Sequence, residues 1–210
     1  MSEPTVFIID DDPSVLKGLT RLVMAAGFMT ESFSSAVDFL ASARIEGPGC
    51  IVLDVQMPEM TGPELQNELS KMEYSMPIIF LSAHGDVPTT AQAMKMGAVD
   101  FLTKPVDVND LIEVINLSLE KDAESRSEHA VNSTINELLK TLTPREHEVM
   151  TYVITGLLNK QIASEMSISE ETVKVHRGRL MQKLEIVSVA ELVRLCEKTG
   201  VTPAIIKGNY

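Results

Sequence analysis

A chain of 210 residues, 44% of them hydrophobic, is long enough for two modest domains with ordinary cores. Its 30 acidic and 18 basic residues give a net charge of −12, which argues against a nucleic-acid partner for the chain as a whole. The excess acid lies in residues 1–125, where 20 acidic residues face seven basic ones, whereas the remainder has 10 and 11. No apolar run approaches the ~18 residues that span a bilayer, and no basic segment precedes an apolar stretch at the N-terminus, so we expect a cytoplasmic protein without a membrane partner.

Residues 5–120 alternate apolar strand-like runs with helix-like periodicity, which predicts an α/β domain built on a parallel sheet. The third and fourth strands are apolar throughout, as strands covered on both faces are. Helices fill the gaps, the first between Asp12-Pro13 and Gly27 and the last over Asp107–Leu119. The five predicted strands are about Thr5–Ile9, Met29–Phe33, Cys50–Leu53, Pro77–Ser82 and Val99–Thr103.

A polar segment at about 121–137 follows this domain and contains neither glycine nor proline. We predict that it is a linker between the first domain and a second domain. Because no residue in it breaks a helix, it either continues the preceding helix as a semi-rigid spacer or forms a flexible tether. The sequence leaves both alternatives open.

From Leu142 the pattern is wholly helical. Thr143-Pro144-Arg145-Glu146 matches an N-cap, a proline in the first turn and a carboxylate at the third helical position, so a helix is predicted from there to about Thr155. The helices that follow have the spacing of a helix-turn-helix. They are predicted over Asn159–Met166, Glu170–Leu184 and Val189–Cys196. Cys50 and Cys196 have neither metal nor disulfide spacing, and we predict that both are core residues.

Acidic and polar side chains follow the ends of several predicted strands of the first domain. Asp10 and Asp11 follow the first strand, Asp54 the third, Ser82 ends the fourth and Lys104 follows the fifth. Residues past the carboxyl ends of parallel strands converge in one crevice, so we expect a shared site. Clustered carboxylates repel one another unless a divalent cation that prefers oxygen ligands lies among them, which predicts bound Mg²⁺ or Mn²⁺. Asp54 is the best candidate for a covalent phosphate acceptor, with Ser82 and Lys104 contacting the phosphoryl group.

Four motifs, in this order and at these spacings, resemble a bacterial response-regulator receiver domain over residues 4 to about 120. They are Ile8–Asp12, Val52–Pro58, Leu81–Ala83 and Lys104-Pro105. The resemblance implies a flavodoxin-like, doubly wound, five-stranded parallel sheet. It also implies that Asp54 takes a phosphoryl group from a histidine kinase.

The same resemblance implies roles for further residues of the site. Asp11, Asp54 and the backbone carbonyl of Gln56 would ligate magnesium, with Asp10 acting mainly through water. Ser82 and Phe101 match the family's switch pair, in which movement of the hydroxyl group toward the phosphate lets the aromatic ring turn inward.

The densest basic segment of the chain is Thr172–Leu184, which has four lysine or arginine residues and no acid. Val173, Leu180 and Leu184 mark the inward face of the predicted helix, which leaves Lys174 and Arg177 free to enter a DNA major groove. On charge alone, this pattern favours an amphipathic helix with a solvated charged face.

Three motifs in the second domain favour DNA binding over a merely solvated helix face. They resemble the LuxR-type four-helix DNA-binding domain over about 138–202, and they are Leu142–Glu146, Gly156–Ala163 and Thr172–His176. With the receiver, the whole chain resembles a NarL/FixJ-family response regulator, closest to the FixJ-like branch. The resemblance implies groove contacts by Lys174, Val175 and Arg177 and a backbone contact by Lys160. The full set of predicted DNA-binding residues is Lys160, Thr172, Lys174, Val175, His176, Arg177, Arg179 and Lys183.

The resulting hypothesis is a transcription regulator that is not an enzyme beyond its own phosphorylation and dephosphorylation. Phosphorylation of Asp54 would repack Ser82 and Phe101 and expose a face around the fourth receiver helix and the fifth strand for homodimerisation. The dimer would then bind paired half-sites in double-stranded promoter DNA. RNA polymerase is a candidate further partner.

Two rival functions remain open on the residues alone. A haloacid-dehalogenase-like phosphatase would use Asp10 as its nucleophile, because Asp10–Asp12 contains Asp-x-Asp after a strand, but it leaves Asp54 without a role. A constitutive DNA-binding protein with a degenerate receiver would bind its operator without phosphate. The intact set of acids, hydroxyl and lysine argues against that second alternative.

Overall fold

The computed structural model describes residues 3–42, 47–71, 76–83 and 94–206. The chain divides into two compact units, Met1–Ser127 and Glu128–Tyr210, a division that falls inside the segment predicted as a linker. The domain bounds given above stay a prediction. Within the described ranges, none of the helices combines the length and the apolarity needed to cross a bilayer.

A five-stranded parallel sheet forms the centre of the first unit. Its strands are Thr5–Ile9 (β1), Met29–Phe33 (β2), Gly49–Asp54 (β3), Ile78–Ser82 (β4) and Asp100–Thr103 (β5). The spatial order is β2-β1-β3-β4-β5, so the direction of winding reverses between β1 and β3, as in a doubly wound sheet. The predicted α/β fold class is therefore confirmed, and the strand limits differ from the predicted ones by one residue at most.

Helices of the first unit begin at side chains that cap their backbone. They are Pro13–Ala25 (α1), Ala36–Ser42 (α2), Gly62–Leu69 (α3) and Val108–Lys140 (α4). At α1, Asp12 accepts hydrogen bonds from the amides of Ser14 and Val15 at 2.7 and 3.3 Å. At α3, the carboxylate of Glu64 accepts from the Thr61 amide at 2.8 Å, which forms half of a capping box. These contacts fix where both helices start, and for α1 the start is the predicted one.

Two apolar cores cover the two faces of the sheet, because successive side chains of a strand point to opposite sides. One face carries Phe7, Ile9, Ile51, Leu53 and Phe80, among others, and the opposite face carries Val6, Ile8, Val52, Ile79 and Leu81. All of these side chains are buried. The inner strands are therefore held from both sides, and their ends are fixed in space.

Parallel register places the carboxyl ends of neighbouring strands side by side. Ile9 pairs with Leu53, so Asp10 follows β1 at the level where β3 ends in Asp54. On the other side of β3, Asp54 pairs with Leu81, the residue before Ser82. The sheet thus brings together residues that are 44 and 28 positions apart in the chain.

A buried acid joins α4 to the opposite, amino-terminal end of the sheet. Asp122 is fully buried, and its Oδ2 accepts hydrogen bonds from the Gly49 amide at 3.1 Å and from Arg126 Nε at 2.9 Å. A Cβ at Gly49 would lie only 2.2 Å from the carbonyl oxygen of Thr5, so this position accepts no side chain. The helix α4 runs on to Lys140 through the polar segment, and its residues up to Arg126 belong to the first unit.

The second unit consists of Pro144–Val153 (α5), Asn159–Met166 (α6), Glu170–Lys183 (α7) and Val189–Thr199 (α8), packed with the last turns of α4. Thr143, Ser169 and Ser188 cap α5, α7 and α8, and Gly156 follows α5 with a φ of 85°. The apolar core contains Val149, Met150, Ile162, Val173, Leu180, Leu192 and Cys196. The predicted all-α fold of this unit is confirmed.

Both cysteines are free and buried, as predicted. Burial raises the pKa of the Cys50 thiol to about 12, with a further contribution from the carboxylate of Asp122. Burial likewise raises the pKa of Cys196 to about 11. Both thiols are therefore protonated at neutral pH and act as small apolar core groups.

Replacement of Asp122 by alanine is expected to destabilise the first unit by about 2 to 4 kcal/mol, because the buried Gly49 amide loses its acceptor and Arg126 loses its counter-charge. Native-state hydrogen exchange on the full chain, read at β1, β3 and the first half of α4, measures this loss. Glu124→Ala is the matched control, since Glu124 is an exposed acid on the same helix. Equal protection in the two variants would contradict a structural role for Asp122.

Candidate functional site

Three carboxylates meet at the carboxyl ends of β1 and β3. Asp10 and Asp54 are 1% and 7% exposed, whereas Asp11 is exposed to solvent. Oδ1 of Asp10 accepts a hydrogen bond from the Asp12 amide at 3.0 Å, which fixes the turn between β1 and α1. The side chain of Asp12 caps α1, so Asp12 serves the helix and is not one of the three clustered acids.

One lysine lies between the two buried acids. Lys104 follows β5, and its amide donates a hydrogen bond to the Ser82 carbonyl at 2.7 Å. Its Nζ lies 2.6 Å from Asp10 Oδ2 and 3.1 Å from Asp54 Oδ1. A single ammonium group is therefore shared by carboxylates from two different strands.

The competing charges alter the acidity of the cluster. Burial raises the pKa of Asp54 above its ordinary 3.8, the hydrogen bond and charge of Lys104 oppose this, and the negative charges of Asp10 and Asp11 add to it. Burial alone would lower the pKa of Lys104, but the hydrogen bonds to Asp10 and Asp54 outweigh it and raise the pKa above 10.5. With three carboxylates and one lysine, the cluster has negative charge left to neutralise.

The donor set fits a hard divalent cation. Asp10, Asp11 and Asp54 each offer a carboxylate oxygen, and these three atoms lie within 4.8 Å of one another. Oxygen ligands of this kind suit Mg²⁺ and Mn²⁺. Gln56, predicted to contribute its backbone carbonyl, lies in the loop after β3 with its side chain exposed.

The predicted switch pair lies on β4, which pairs with β3, and on β5, which pairs with β4. Ser82 ends β4 and is buried, one residue beyond the partner of Asp54 in the sheet register. Phe101 on β5 is half-buried, and its ring centroid is 6.4 Å from that of Phe80. The structure therefore brings Asp10, Asp11, Asp54 and Lys104 into one cluster, with Ser82 at the adjoining strand end.

The basic helix of the second unit is α7, and it presents most of the predicted DNA-binding residues on its surface. Val173 and Leu180 are buried and fix the helix to the core. The other predicted residues are exposed or half-buried, namely Thr172, Lys174, Val175, His176, Arg177, Arg179 and, on α6, Lys160. Lys174 lies 3.6 Å from Glu171 and 4.0 Å from Glu170, weak surface contacts that a phosphate group can replace.

Two residues of α7 make contacts within the protein that sequence analysis missed. Arg177 donates a hydrogen bond to Asn159 Oδ1 at 2.9 Å, across a separation of 18 residues. Lys183, predicted to bind DNA, instead places its Nζ 2.6 Å from Glu146 Oε2 and 2.9 Å from the Thr141 carbonyl oxygen. No periodicity or motif in the sequence signals either pairing.

Glu146 is a buried acid at the start of α5, 3% exposed. Its Oε2 also accepts a hydrogen bond from the Thr143 amide at 2.9 Å, which confirms the predicted capping box. The hydrogen bond from Lys183 and then that from the Thr143 amide hold the pKa of Glu146 at about 2, below its ordinary 4.5. This carboxylate stays ionised throughout the physiological range.

Comparison with known proteins places both units in described families. Residues 6–116 match the response regulator receiver domain, and residues 140–196 match the bacterial regulatory proteins of the luxR family. Nodulation protein W of Bradyrhizobium diazoefficiens is 40% identical over 197 residues, covering 94% of this chain and 87% of that protein. The transcriptional regulatory protein FixJ of Rhizobium meliloti is 38% identical over 204 residues, covering 97% and 100%. The solved structure of the response regulator StyR matches with a TM-score of 0.79 at 47% identity, covering 94% of this chain and 100% of that one.

The acidity of Asp54 provides a test of the cluster. Asp11→Asn removes a like charge and is expected to lower the pKa of Asp54, whereas Lys104→Met removes the compensating cation and is expected to raise it. Carbon NMR titration of aspartate-labelled full-length chain in metal-free buffer measures both shifts. The two variants control for each other, and an unchanged pKa of Asp54 in both would show that Asp54 lies outside their fields.

A second test concerns Glu146 and pH. Because its folded pKa is depressed, its stabilisation is fully present above about pH 4.5 and is lost as the pH falls through about 2. With solvent screening taken into account, the difference corresponds to on the order of 1 kcal/mol. Glu146→Gln is expected to remove this stabilisation at neutral pH and to flatten the dependence of stability on pH between those limits.

Urea unfolding of the full chain, followed by amide NMR signals of α5 and α7 at several pH values, measures that effect. Glu148→Gln is the matched control, because Glu148 pairs with Arg145 at the surface of the same helix. An unchanged acid dependence in Glu146→Gln would mean that other groups set the stability of this unit at low pH.

Proposed function

Because the chain belongs to the bacterial two-component response regulators that join a receiver domain to a LuxR-type DNA-binding domain and regulate transcription, we propose that it is switched by phosphorylation of Asp54. A histidine kinase supplies the phosphoryl group, and the phosphorylated chain dimerises and binds promoter DNA. The observation that carries this proposal is the cluster at one strand edge, where Lys104 Nζ lies within 3.1 Å of both Asp10 and Asp54.

In the transfer step, a carboxylate oxygen of Asp54 attacks the phosphorus of a phosphohistidine. A P–O bond forms as the P–N bond breaks, and the imidazole of the kinase leaves with the electron pair. Asp54 is the last residue of β3, at the carboxyl end of the sheet, and 10% of its side chain is exposed there. Catalysis here consists of positioning and charge compensation, which phosphoryl transfer chiefly requires.

The residues around Asp54 divide the charge compensation among them. Lys104, already between Asp10 and Asp54, donates to a phosphoryl oxygen once Asp54 is esterified, and the hydroxyl of Ser82 donates to another. Asp10, Asp11 and Asp54, with the backbone carbonyl of Gln56, would hold Mg²⁺ or Mn²⁺, which neutralises phosphoryl charge when bound. Because three carboxylates carry more negative charge than Lys104 alone can balance, a divalent metal ion is needed as a second cation.

The switch that follows uses Ser82 and Phe101. Movement of the Ser82 hydroxyl toward the phosphoryl group vacates space beside β5, and the half-buried ring of Phe101 turns inward. β5 is the last strand of the sheet order and, among the strands that the structure describes, pairs on one side only, so we place the dimer face along it. The rest of this face is predicted on the helix between β4 and β5, which is not the helix labelled α4 here. That segment falls largely on residues outside the described ranges.

Dimerisation matters because one helix-turn-helix makes a small interface with DNA and binds weakly alone. Two linked copies engage paired half-sites, and the second binding event then benefits from a high effective concentration. The proposed contacts of each copy are Lys160, Thr172, Lys174, Val175, His176, Arg177 and Arg179, with RNA polymerase as a candidate partner of the bound dimer. Lys183 is not included among these contacts, because its ammonium group pairs with Glu146.

The rival phosphatase is disfavoured by the surroundings of Asp10. One of its oxygens accepts from the Asp12 amide at 3.0 Å and the other from Lys104 at 2.6 Å. A nucleophile held in this way, and 1% exposed, is poorly placed to attack a phosphate ester. The relatives of the chain are also transcriptional regulators.

Incubation with acetyl phosphate and Mg²⁺ is expected to add one phosphoryl group to the full-length chain and to raise its affinity for DNA selected from random duplexes. Intact-mass spectrometry and titration binding measure the two effects. Asp54→Asn should lose both, because the amide cannot form the acyl phosphate. Asp12→Asn is the matched control, since it removes a neighbouring acid and leaves a good N-cap for α1.

Two outcomes would refute the proposal. Asp54→Asn that still gained phosphate would place the acceptor elsewhere. Wild-type chain that bound the selected DNA equally well with and without phosphate would support constitutive binding.

A further inference from the structure

We infer that Lys183 is a positioning residue that fixes the end of the DNA-binding helix α7 against the start of α5, and that it does not contact DNA. This inference rests on the proposed DNA-binding function of α7. It assigns to Lys183 a role opposite to the one its sequence context predicts, since the residue belongs to the densest basic segment of the chain.

The contacts of Lys183 join three parts of the second unit. Lys183 is the last residue of α7, and its Nζ donates to Glu146 Oε2 at 2.6 Å and to the Thr141 carbonyl at 2.9 Å. Thr141 precedes α5, and Glu146 lies in the first turn of α5. One ammonium group thus connects the C-terminal end of α7 to the N-terminal end of α5 and to the segment leading into it.

The partner of Lys183 cannot readily release it. Glu146 is 3% exposed, while the side chain of Lys183 is 34% exposed. If Lys183 moved to a DNA phosphate, the Glu146 carboxylate would be left buried without a counter-charge, which is strongly unfavourable. The remaining hydrogen bond, from the Thr143 amide, does not supply that charge.

The helix termini reinforce the pairing. A carboxylate in the first turn of α5 and an ammonium in the last turn of α7 each lie at the helix end that favours their charge. The same atom, Glu146 Oε2, also accepts from the Thr143 amide, so the pair is anchored to the capping box of α5. Lys183 therefore forms part of a fixed network, unlike Lys174, whose nearest acids are exposed surface residues.

Three tethers then set the direction of α7. Ser169 caps its start by accepting from the Thr172 amide at 3.1 Å, and Arg177 bonds to Asn159 on α6 at its middle. Lys183 fixes its end to α5. Base contacts in a groove depend on the helix lying within a few tenths of an ångström of its productive position, so a loosened end would weaken sequence-specific binding.

The two roles predict different responses to salt. A lysine that neutralises a phosphate releases counterions, and its loss reduces the slope of log affinity against log salt by about 0.9. A positioning lysine leaves that slope unchanged, because it displaces no counterion in either state. Non-specific binding, which depends on phosphate contacts alone, is likewise unaffected by it.

The experiment compares Lys183→Met with Lys160→Met in the phosphorylated full-length chain, using a selected operator and a random-sequence duplex at several salt concentrations. For Lys183→Met we expect about a tenfold loss of operator affinity, an unchanged salt slope and unchanged affinity for the random duplex. For Lys160→Met, which removes the proposed contact to the DNA backbone, we expect a slope reduced by about 0.9 on both duplexes. Lys183→Arg keeps a cation that can reach Glu146, and it should restore most of the operator affinity.

A double-mutant cycle with Glu146→Gln gives a second, independent measurement. Glutamine keeps the acceptor for the Thr143 amide and removes the charge, so Lys183→Met should cost far less operator affinity in this background than alone. Amide NMR spectra of each variant establish that the second unit is folded. If Lys183→Met does not fold, Lys183→Arg and Glu146→Gln carry the comparison.

Three outcomes would overturn the inference: a reduced salt slope for Lys183→Met, equal losses with and without Glu146→Gln, or unchanged operator affinity. The first would make Lys183 a phosphate contact. Failure of the proposed function looks different, because wild-type chain would then show no salt-dependent binding to either duplex.

Discussion

The shared ammonium of Lys104 is the contact around which the first unit is organised. Two carboxylates that would otherwise repel each other, Asp10 and Asp54, come from strands that lie side by side because of the parallel register. The packed cores on both faces of the sheet hold those strand ends at a fixed spacing, and Lys104 arrives from β5 to hold them together. The balance is incomplete, since Asp11 adds a third negative charge. The cluster is therefore held together as folded and keeps negative charge that a divalent cation can neutralise.

The second unit also contains a buried charge contact, but there an acid holds a cation. It is near neutral overall, yet α7 presents a row of cations to solvent. An internal acid holds one member of that row, since Glu146 pairs with Lys183, whereas the acids nearest Lys174 are exposed. A cation that is held within the protein orients the helix, and the exposed cations attract a polyanion. A count of basic residues cannot distinguish the two groups.

The sequence predicted the fold and the acidic cluster because both follow from local patterns. Apolar runs of the right length identified the strands, and acids at their ends, such as Asp54, converge in any parallel sheet of this kind. The contacts that escaped prediction join residues far apart in the chain. Asp122 and Gly49 are 73 positions apart, and Lys183 and Glu146 are 37 apart. In the sequence, Asp122 is one of several charged residues in a polar stretch and Lys183 is one of several basic residues in a helix. Only the tertiary packing, which buries Asp122 and the Glu146 partner of Lys183, gives each a distinct role.

The two cysteines have a practical consequence for studying conformational change in this protein. Both thiols are buried and protonated at neutral pH, with pKa values raised to about 12 and 11. Alkylating reagents attack the thiolate, so neither native residue competes with an exposed cysteine introduced by design. Spin labels and fluorophores can thus be attached at chosen surface positions without first substituting the native cysteines. The distance between the two units can then be measured in a protein whose core residues are unchanged.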